Sequence, residues 1–324
     1  MASADRCTRL APSPTGPLHL GNACSFLVTW AIARRHGWRV LLRIEDLDRD
    51  RARAAGSQDV PAQLAWLGMD FDGEPVVQSS RIAAYEDAMA RLASQGVVYE
   101  SPHSRTEVRE AAAALGAPHA EDAHAAFPQS LRPAPGPAWG FARRDVNHRM
   151  RMAPGHERID DRVAGLHDFE PERTEGDVIV WTKSGWPSYQ LAVSVDDASQ
   201  GVTDVIRGED LLPSAAIQSR IHRALGGAPP RWWHLPLVVD GEGRRLAKRN
   251  GSLALDALRG AGVDPARVRG LVAWWVGAID GPGPVDAARL PTLLDEPILR
   301  AWHARTRTAP NTVDDRALAW LHGS

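Results

Sequence analysis

The sequence predicts an α/β protein organised around an open parallel sheet, and three observations carry that prediction. Cys7 to Ala11 and Trp38 to Ile44 are short apolar runs of strand character, separated by a Pro/Gly-rich loop and an apolar helical run. Val202 to Ile206 and Leu235 to Val239 are two further strand-like runs, and each ends in polar groups, Arg207-Gly-Glu-Asp210 and Asp240-Gly-Glu-Gly. In open α/β sheets the carboxyl ends of the strands are where ligands bind. Finally, a chain of 324 residues with 44% hydrophobic residues, 24% charged residues and a net charge of -2 is an ordinary globular composition, large enough for more than one domain. Such a charge does not by itself announce a nucleic-acid partner.

The first unit is organised by Arg9-Leu-Ala-Pro-Ser-Pro-Thr-Gly-Pro-Leu-His-Leu-Gly-Asn22. Its three prolines remove amide donors and its two glycines relax the backbone, so it is a shaped loop and not a regular element. Asn22 is a good N-cap for a helix over Ala23 to Ile32, which closes with Arg34, Arg35, His36 and Gly37. A strand–loop–helix–strand unit places this loop at a helix N-terminus with free amides, which suits a nucleotide phosphate.

Farther along, Glu45 stands at the end of the second strand in the run Arg43-Ile-Glu-Asp-Leu-Asp-Arg49, where its carboxylate either holds an ammonium group or belongs to a solvated, ion-paired loop. Ser57 to Leu67 and Arg81 to Leu92 read as amphipathic scaffold helices. From Tyr99 to Arg151 periodicity weakens, as expected of an inserted segment. A hairpin is predicted from Asp177 to Trp181 and Ser188 to Val195, turning at Lys183-Ser-Gly185. Leu211 to Leu225 is expected to be helical, as are Leu253 to Leu258, Arg267 to Ala278 and Thr312 to Leu321. Within the last region Arg267, Arg269, Arg300, Arg305 and Arg307 are either phosphate contacts or a solvated helix face.

Of the 38 basic residues only Lys183 and Lys248 are lysine, a mild sign that a compact ammonium is wanted where other signals agree. Lys248 lies in Asp240-Gly-Glu-Gly-Arg-Arg-Leu-Ala-Lys-Arg-Asn-Gly-Ser252, either a loop that closes on polyphosphate or an exposed turn. Cys7 and Cys24 form no metal or disulfide pattern and are expected in the core. No signal-peptide-like segment and no run of about 18 apolar residues is present, so the expectation is a cytoplasmic protein without membrane association.

With these stretches in hand, the sequence resembles the class I aminoacyl-tRNA synthetases of the glutamyl type. Arg9 to Asn22 resembles their first signature motif, and Arg245-Leu-Ala-Lys-Arg249 resembles the matching second-motif loop. Arg43-Ile-Glu-Asp46, Tyr189-Gln-Leu-Ala192 with Asp196-Asp197, and Gly201 to Leu212 agree in the same order. After the Lys248 loop the sequence given runs only from residue 253 to 324, short for the two-part anticodon-binding region of the full glutamyl enzymes. Val193, where discriminating glutamyl enzymes carry an amide, fits with Gln190 and Ala198-Ser-Gln200 the truncated paralogues, the glutamyl-Q tRNA(Asp) synthetases.

The resemblance implies a Rossmann-like parallel-sheet catalytic domain with an inserted α+β acceptor-like subdomain and a helical C-terminal segment. The expected boundaries are 1–98 and 188–252 for the two catalytic halves, 99–187 for the insert and 253–324 for the C-terminal segment. It implies ATP with Mg2+ as a substrate complex, L-glutamate as the amino acid, and tRNA(Asp) bearing queuosine as the acceptor, acted on by a monomer. His19 and Lys248 become the catalytic residues, with His19, Gly21, Asn22, Arg245, Lys248 and Arg249 on ATP. Glutamate falls to Arg9, Ala11, Ser13, Glu45, Tyr189 and Arg207, whose planar arginine forks suit carboxylates. Catalysis would then be in-line positioning plus neutralisation of phosphate charge.

Two departures stand out. Relatives bind zinc in the insert through Cys-x-Cys and Tyr-x-x-x-Cys, whereas Tyr99-Glu-Ser-Pro-His103 and Phe127-Pro-Gln-Ser-Leu131 stand here; with His103, His119 and His124 as weak substitutes, no structural zinc is expected. Ala215-Ala-Ile217 replaces a Thr-Pro-Arg-like run. Glutamylation of another acceptor, or a non-catalytic paralogue that binds glutamate, ATP or tRNA, remain the alternatives.

Overall fold

The computed structural model describes residues 6–55, 59–114, 126–134, 140–244, 246 and 253–323. The chain opens with strand β1 (Cys7–Leu10), helix α1 (Leu20–Arg35) and strand β2 (Arg39–Ile44). These are followed by α2 (Arg49–Ala55), α3 (Val60–Trp66), β3 (Val76–Val77) and α4 (Ile82–Ser94). β1, β2 and β3 form one parallel sheet, with Cys7 opposite Arg39 and Ile44 opposite Val77. The sequence places α1 correctly but not its start. His19 is the extended N-cap, and Asn22 sits three residues inside the helix, its side chain accepting the His19 amide at 3.0 Å in a capping box.

The inserted region is ordered around β4 (Val98–Ser101), α5 (Arg105–Ala114) and β5 (Asn147–Met150). The hairpin β6 (Glu157–Asp161) and β7 (Gly165–Phe169) follows, then the short helix α6 (Pro171–Thr174) and β8 (Val178–Trp181). β4, β5 and β8 make an antiparallel sheet. It is pinned by buried Asp177, whose carboxylate accepts from Tyr99, Arg132 and the Met152 amide.

The second half of the predicted 177–195 hairpin is instead a helix, α7 (Tyr189–Ser199), which Ser188 caps by accepting the Leu191 amide. Residues Leu191 to Asp197 are all buried, which hides helical periodicity in an unbroken apolar run. Parallel strands β9 (Asp204–Gly208) and β10 (Arg231–Leu235) flank α8 (Leu212–Ala224), and Ala215, Ala216 and Ile217 of that helix are buried. The Thr203 amide donates to Cys7 carbonyl at 2.9 Å, which joins β9 to β1 and brings the carboxyl ends of both halves side by side.

After β11 (Val238–Asp240) come α9 (Leu255–Gly260), α10 (Pro265–Val276), α11 (Leu290–Leu293) and α12 (Glu296–Thr306). The chain closes with β12 (Asn311–Val313) and α13 (Asp315–His322). Thr312 is therefore in a strand and not, as its sequence suggested, in the last helix; β12 pairs in parallel with β11. Leu271, Trp302 and Leu321 share one core with Leu27, Val28 and Leu42, so 253–323 packs into the same core as the first α/β unit. α1 is accordingly buried on most of its faces, against the sheet on one side and α10 and α11 on the other. No helix among the described residues is long and apolar enough to cross a membrane.

Close approach within this shared core is tightest at Gly270 on α10, where an added Cβ would lie 1.8 Å from the Gly283 carbonyl oxygen. Gly270→Ala is therefore expected to destabilise the fold by about 1–3 kcal/mol, read as a lowered melting temperature with the helical circular dichroism retained.

Candidate functional site

Four side chains that sequence reasoning put on glutamate converge at the carboxyl ends of β1, β2 and β9. The loop after β1 is clipped to β2 by the Glu45 amide, which donates to Pro12 carbonyl at 2.9 Å, and this sets Ala11 and Ser13 beside Glu45. Arg9 Nε donates to Asp197 Oδ1 at 3.2 Å, and Arg43 Nη1 donates to the same oxygen at 2.7 Å. Arg43 also donates to Gln200 Oε1 at 2.9 Å and lies 3.3 Å from Glu45 Oε1. All four charged groups are buried, Arg43 at 0%, Asp197 at 1%, Arg9 at 5% and Glu45 at 8% exposure.

Charge balance decides their ionisation. Burial opposes the Asp197 charge, but Arg43 and Arg9 outweigh it and hold its carboxyl below the usual range. Burial likewise opposes the Arg43 charge, yet Asp197, Glu45 and Asp196 push its pKa up. For Glu45 burial wins, and its carboxyl is raised. Asp196 lies 3.9 Å from Arg43 Nε and also accepts from Gln78, Arg81 and Tyr85, a structural tie to α4.

Arg207 completes the group and differs from the other two arginines. It is 7% exposed, and among the described residues no carboxylate lies in ion-pair range of it. Its hydrogen-bond partners are neutral: His234 Nε2, Gln218 Oε1, the Leu211 carbonyl and the Tyr189 side chain. Burial lowers its pKa, and Tyr189, Arg9 and Asp197 are the groups whose charge acts on it most. Leaving a guanidinium buried without an anion is costly unless something else supplies one. Tyr189, at the first turn of α7, is 39% exposed and lines a groove together with Ser13 and Glu45.

The described residues expected on the nucleotide gather at the start of α1. His19 Nδ1 accepts the Gly21 amide at 3.2 Å, so one of the helix's first amides is already taken. A Cβ on Gly21 would meet the His19 ring at 3.1 Å and Leu246 at 3.8 Å. Buried Leu246 thus carries the second motif onto the first, and the Leu255 amide donates to Leu18 carbonyl at 2.8 Å on the far side of that loop. Arg245, Lys248 and Arg249 lie outside the described residues.

Ser13, Glu45 and Tyr189 form one end of a groove of about 1850 Å3 that runs to Arg105, Arg149 and Lys183 of the insert. That volume exceeds what a glutamate molecule alone would fill. In the insert the positions compared above with a zinc set do not fit one. Phe127 and Leu131 offer no donor, Ser101 Oγ accepts from Arg149 Nε, and the Arg149 guanidinium stacks 4.0 Å from the Phe127 ring centroid. A cation occupies the place where one would have to bind. Among the described residues no group of three or more His, Cys, Asp or Glu suits a metal ion, and His119 and His124 lie outside them.

The C-terminal arginines divide. Arg269 is buried and donates to the Val285 and Leu67 carbonyls, while Arg267 and Arg305 donate to the Trp320 and Trp275 carbonyls. Arg300 donates to the Arg162 carbonyl and pairs with Glu296, and Arg307 is exposed. The buried group that sequence reading did not single out is Asp197, together with Asp161 and His234 behind Arg207; only the acidic pair Asp196-Asp197 gave a signal.

Burial opposes the Asp161 charge, but His234 and the Ala164 and His234 amides together outweigh it and hold its carboxyl down to about 2 from the usual 3.8; Asp197 and Asp204 are lowered as well. A depressed folded-state pKa contributes stability that is present above the unfolded value and lost as pH falls. Unfolding midpoints in urea are therefore expected to drop steeply from about pH 4 toward pH 2, and Asp161→Asn to flatten that drop.

Comparison with known proteins now adds to the geometry. Residues 7–273 match the family model described as tRNA synthetases class I (E and Q), catalytic domain. A protein of Nitratidesulfovibrio vulgaris named glutamyl-Q tRNA(Asp) synthetase is 40% identical over 304 residues, covering 88% of this chain and 93% of that protein. Glutamate–tRNA ligase 1 of Methylobacterium sp. (strain 4-46) is 39% identical over 81% of this chain, but the match spans only 54% of that ligase. A crystal structure of a glutamate tRNA ligase from Elizabethkingia meningosepticum superposes with a TM-score of 0.76 at 23% identity, covering 98% of this chain and 68% of that one, which shows the common fold.

Proposed function

The chain belongs to the class I tRNA synthetases of the E and Q group, ligases of the aminoacyl-tRNA synthetase type, and on that premise we propose that it activates L-glutamate with ATP and Mg2+ without needing tRNA, then passes glutamate to queuosine in the anticodon of tRNA(Asp). One observation carries the amino-acid half of this reading: Arg207 is a buried guanidinium with neutral partners, set beside Arg9 and Tyr189 where a carboxylate would neutralise it. The acceptor half is supported by the relative named for it, which this chain matches over nearly that protein's whole length.

In the proposed reaction the Arg9 and Arg207 forks hold glutamate by its carboxylate groups, and Glu45 with Tyr189 takes the ammonium end. Ala11 and Ser13 close the pocket along the loop. A glutamate α-carboxylate oxygen attacks the α-phosphorus of ATP, and pyrophosphate leaves in line. The start of α1, with His19, Gly21 and Asn22, faces the phosphates, while Arg245, Lys248 and Arg249 bring positive charge to the transition state. A queuosine hydroxyl oxygen then attacks the acyl carbon of the adenylate, and AMP leaves.

Glutamate-dependent pyrophosphate exchange into ATP in the absence of any tRNA tests activation. Exchange with glutamate and none with glutamine or aspartate is expected; no exchange with glutamate would instead favour a binding protein that has lost catalysis.

A further inference from the structure

Behind Arg207 lies a buried chain of polar groups that the reaction above does not use. β6 ends on Asp161, which is fully buried. Its Oδ1 accepts three backbone amides, from Val163 at 3.0 Å, Ala164 at 2.8 Å and His234 at 3.1 Å. Its Oδ2 lies 2.6 Å from His234 Nδ1. His234, on β10 and also fully buried, presents its other nitrogen, Nε2, 3.1 Å from Arg207 Nε.

The proton positions follow from the chemistry of the partners. Arg207 Nε–H can only donate, so His234 Nε2 accepts, the ring proton sits on Nδ1, and Nδ1–H donates to Asp161. Burial holds His234 below its ordinary basicity, in keeping with a neutral ring. Elsewhere Arg207 Nη1 donates to Gln218 Oε1 at 2.8 Å, and Gln218 in turn donates to Gln190 Oε1 at 2.8 Å. The guanidinium also lies 4.9 Å from the Trp232 ring centroid. Every group in direct contact is neutral. A carboxylate placed directly on Arg207 would orient it equally well but would quench its charge; a neutral imidazole orients it and leaves the charge for a ligand.

We infer that Asp161 and His234 are positioning residues for glutamate recognition: Asp161, brought in by the β6–β7 hairpin, fixes the Nδ1–H tautomer of His234, and His234 aims Arg207 at the substrate carboxylate without neutralising it. This rests on the reading of Arg207 as a carboxylate binder.

Asp161→Asn is the sharpest test because it is isosteric. Three amides keep the asparagine oxygen where Oδ1 was, so its NH2 group faces His234 Nδ1. The ring then takes the other tautomer and points an N–H at Arg207 Nε–H. The glutamate KM in pyrophosphate exchange is expected to rise roughly tenfold, with the ATP KM unchanged, as for a lost hydrogen bond to a charged group. Nitrogen-15 spectra of labelled histidine should show His234 as Nδ1–H in the wild type and Nε2–H in the variant. His234→Gln, whose Oε1 can replace Nε2 as the acceptor, should keep the glutamate KM within about threefold while losing stability with the Asp161 contact.

A wild-type Nε2–H tautomer overturns the inference whatever the variants do. So does an Asp161→Asn enzyme with unchanged glutamate KM, or a His234→Gln enzyme as impaired as Asp161→Asn, which would mean a role in stability alone. Arg207→Lys separates the two levels. If it leaves the glutamate KM unchanged, the carboxylate reading of Arg207 fails and the inference falls with it; if it raises the KM while Asp161→Asn does not, only the inference falls.

Discussion

Replacing Asp197 by alanine is expected to cost about 3–5 kcal/mol of folding stability and to abolish glutamate activation. Arg9 and Arg43 both donate to its Oδ1, and Arg43 is completely buried. Without Asp197 the two guanidinium groups keep only Glu45, whose carboxyl is already raised by burial, and Asp196, which lies 3.9 Å from Arg43 but is shared with Gln78, Arg81 and Tyr85. Breaking a buried pair leaves a charge that water cannot reach, and that penalty exceeds the net worth of the pair itself. Arg9 would also lose the contact that sets its fork, so the catalytic loss goes beyond the loss of fold. Asp197→Asn, which keeps an acceptor oxygen but not the charge, should fall between. Urea unfolding at neutral pH, paired with pyrophosphate exchange at a temperature where each variant is folded, checks both halves.

Lys248→Ala is expected to act in the opposite way, on rate and not on stability. If this ammonium strengthens its contact as charge moves onto the leaving pyrophosphate, its removal lowers kcat in exchange by roughly 10²–10³-fold while the glutamate KM changes little. The melting temperature should stay at the wild-type value. Leu246 and Leu255 hold the described flanks of that loop against the first motif. An unchanged kcat would point to the non-catalytic alternative.

The parallel sheet and the placing of Glu45 and Arg207 at its carboxyl ends were legible because strand ends and ligand groups coincide in open α/β folds, whereas Arg9 and Tyr189 were placed by the resemblance. Tyr189 was placed at the site although α7 was read as a strand. The ordered motif blocks fixed its position; its neighbours, buried all round, gave no period to read. The β6–β7 hairpin escaped because its inward residues include charged Glu157 and Asp161, whose partners are far away in sequence. Arg223 lies 66 positions from Glu157, and His234 lies 73 positions from Asp161. The strand expected at Leu235 to Val239 is instead the end of β10 (Arg231–Leu235) and the start of β11 (Val238–Asp240), because the charged first residue and the histidine of β10 hide its apolar run. The start of α1 was misplaced by three residues because Asn22 is equally suited to cap the helix directly or to reach back from its third position, and only the extended backbone of His19 separates the two.

The central claim is that glutamate goes to queuosine. The measurement is incubation of the enzyme with ATP, Mg2+, labelled glutamate and tRNA(Asp) with or without queuosine, followed by nuclease mapping of the label. The predicted result is label at the queuosine of the tRNA(Asp) anticodon, with none on unmodified tRNA(Asp). Label on the 3′ end of tRNA(Glu), or equal label on tRNA(Asp) lacking queuosine, would contradict it.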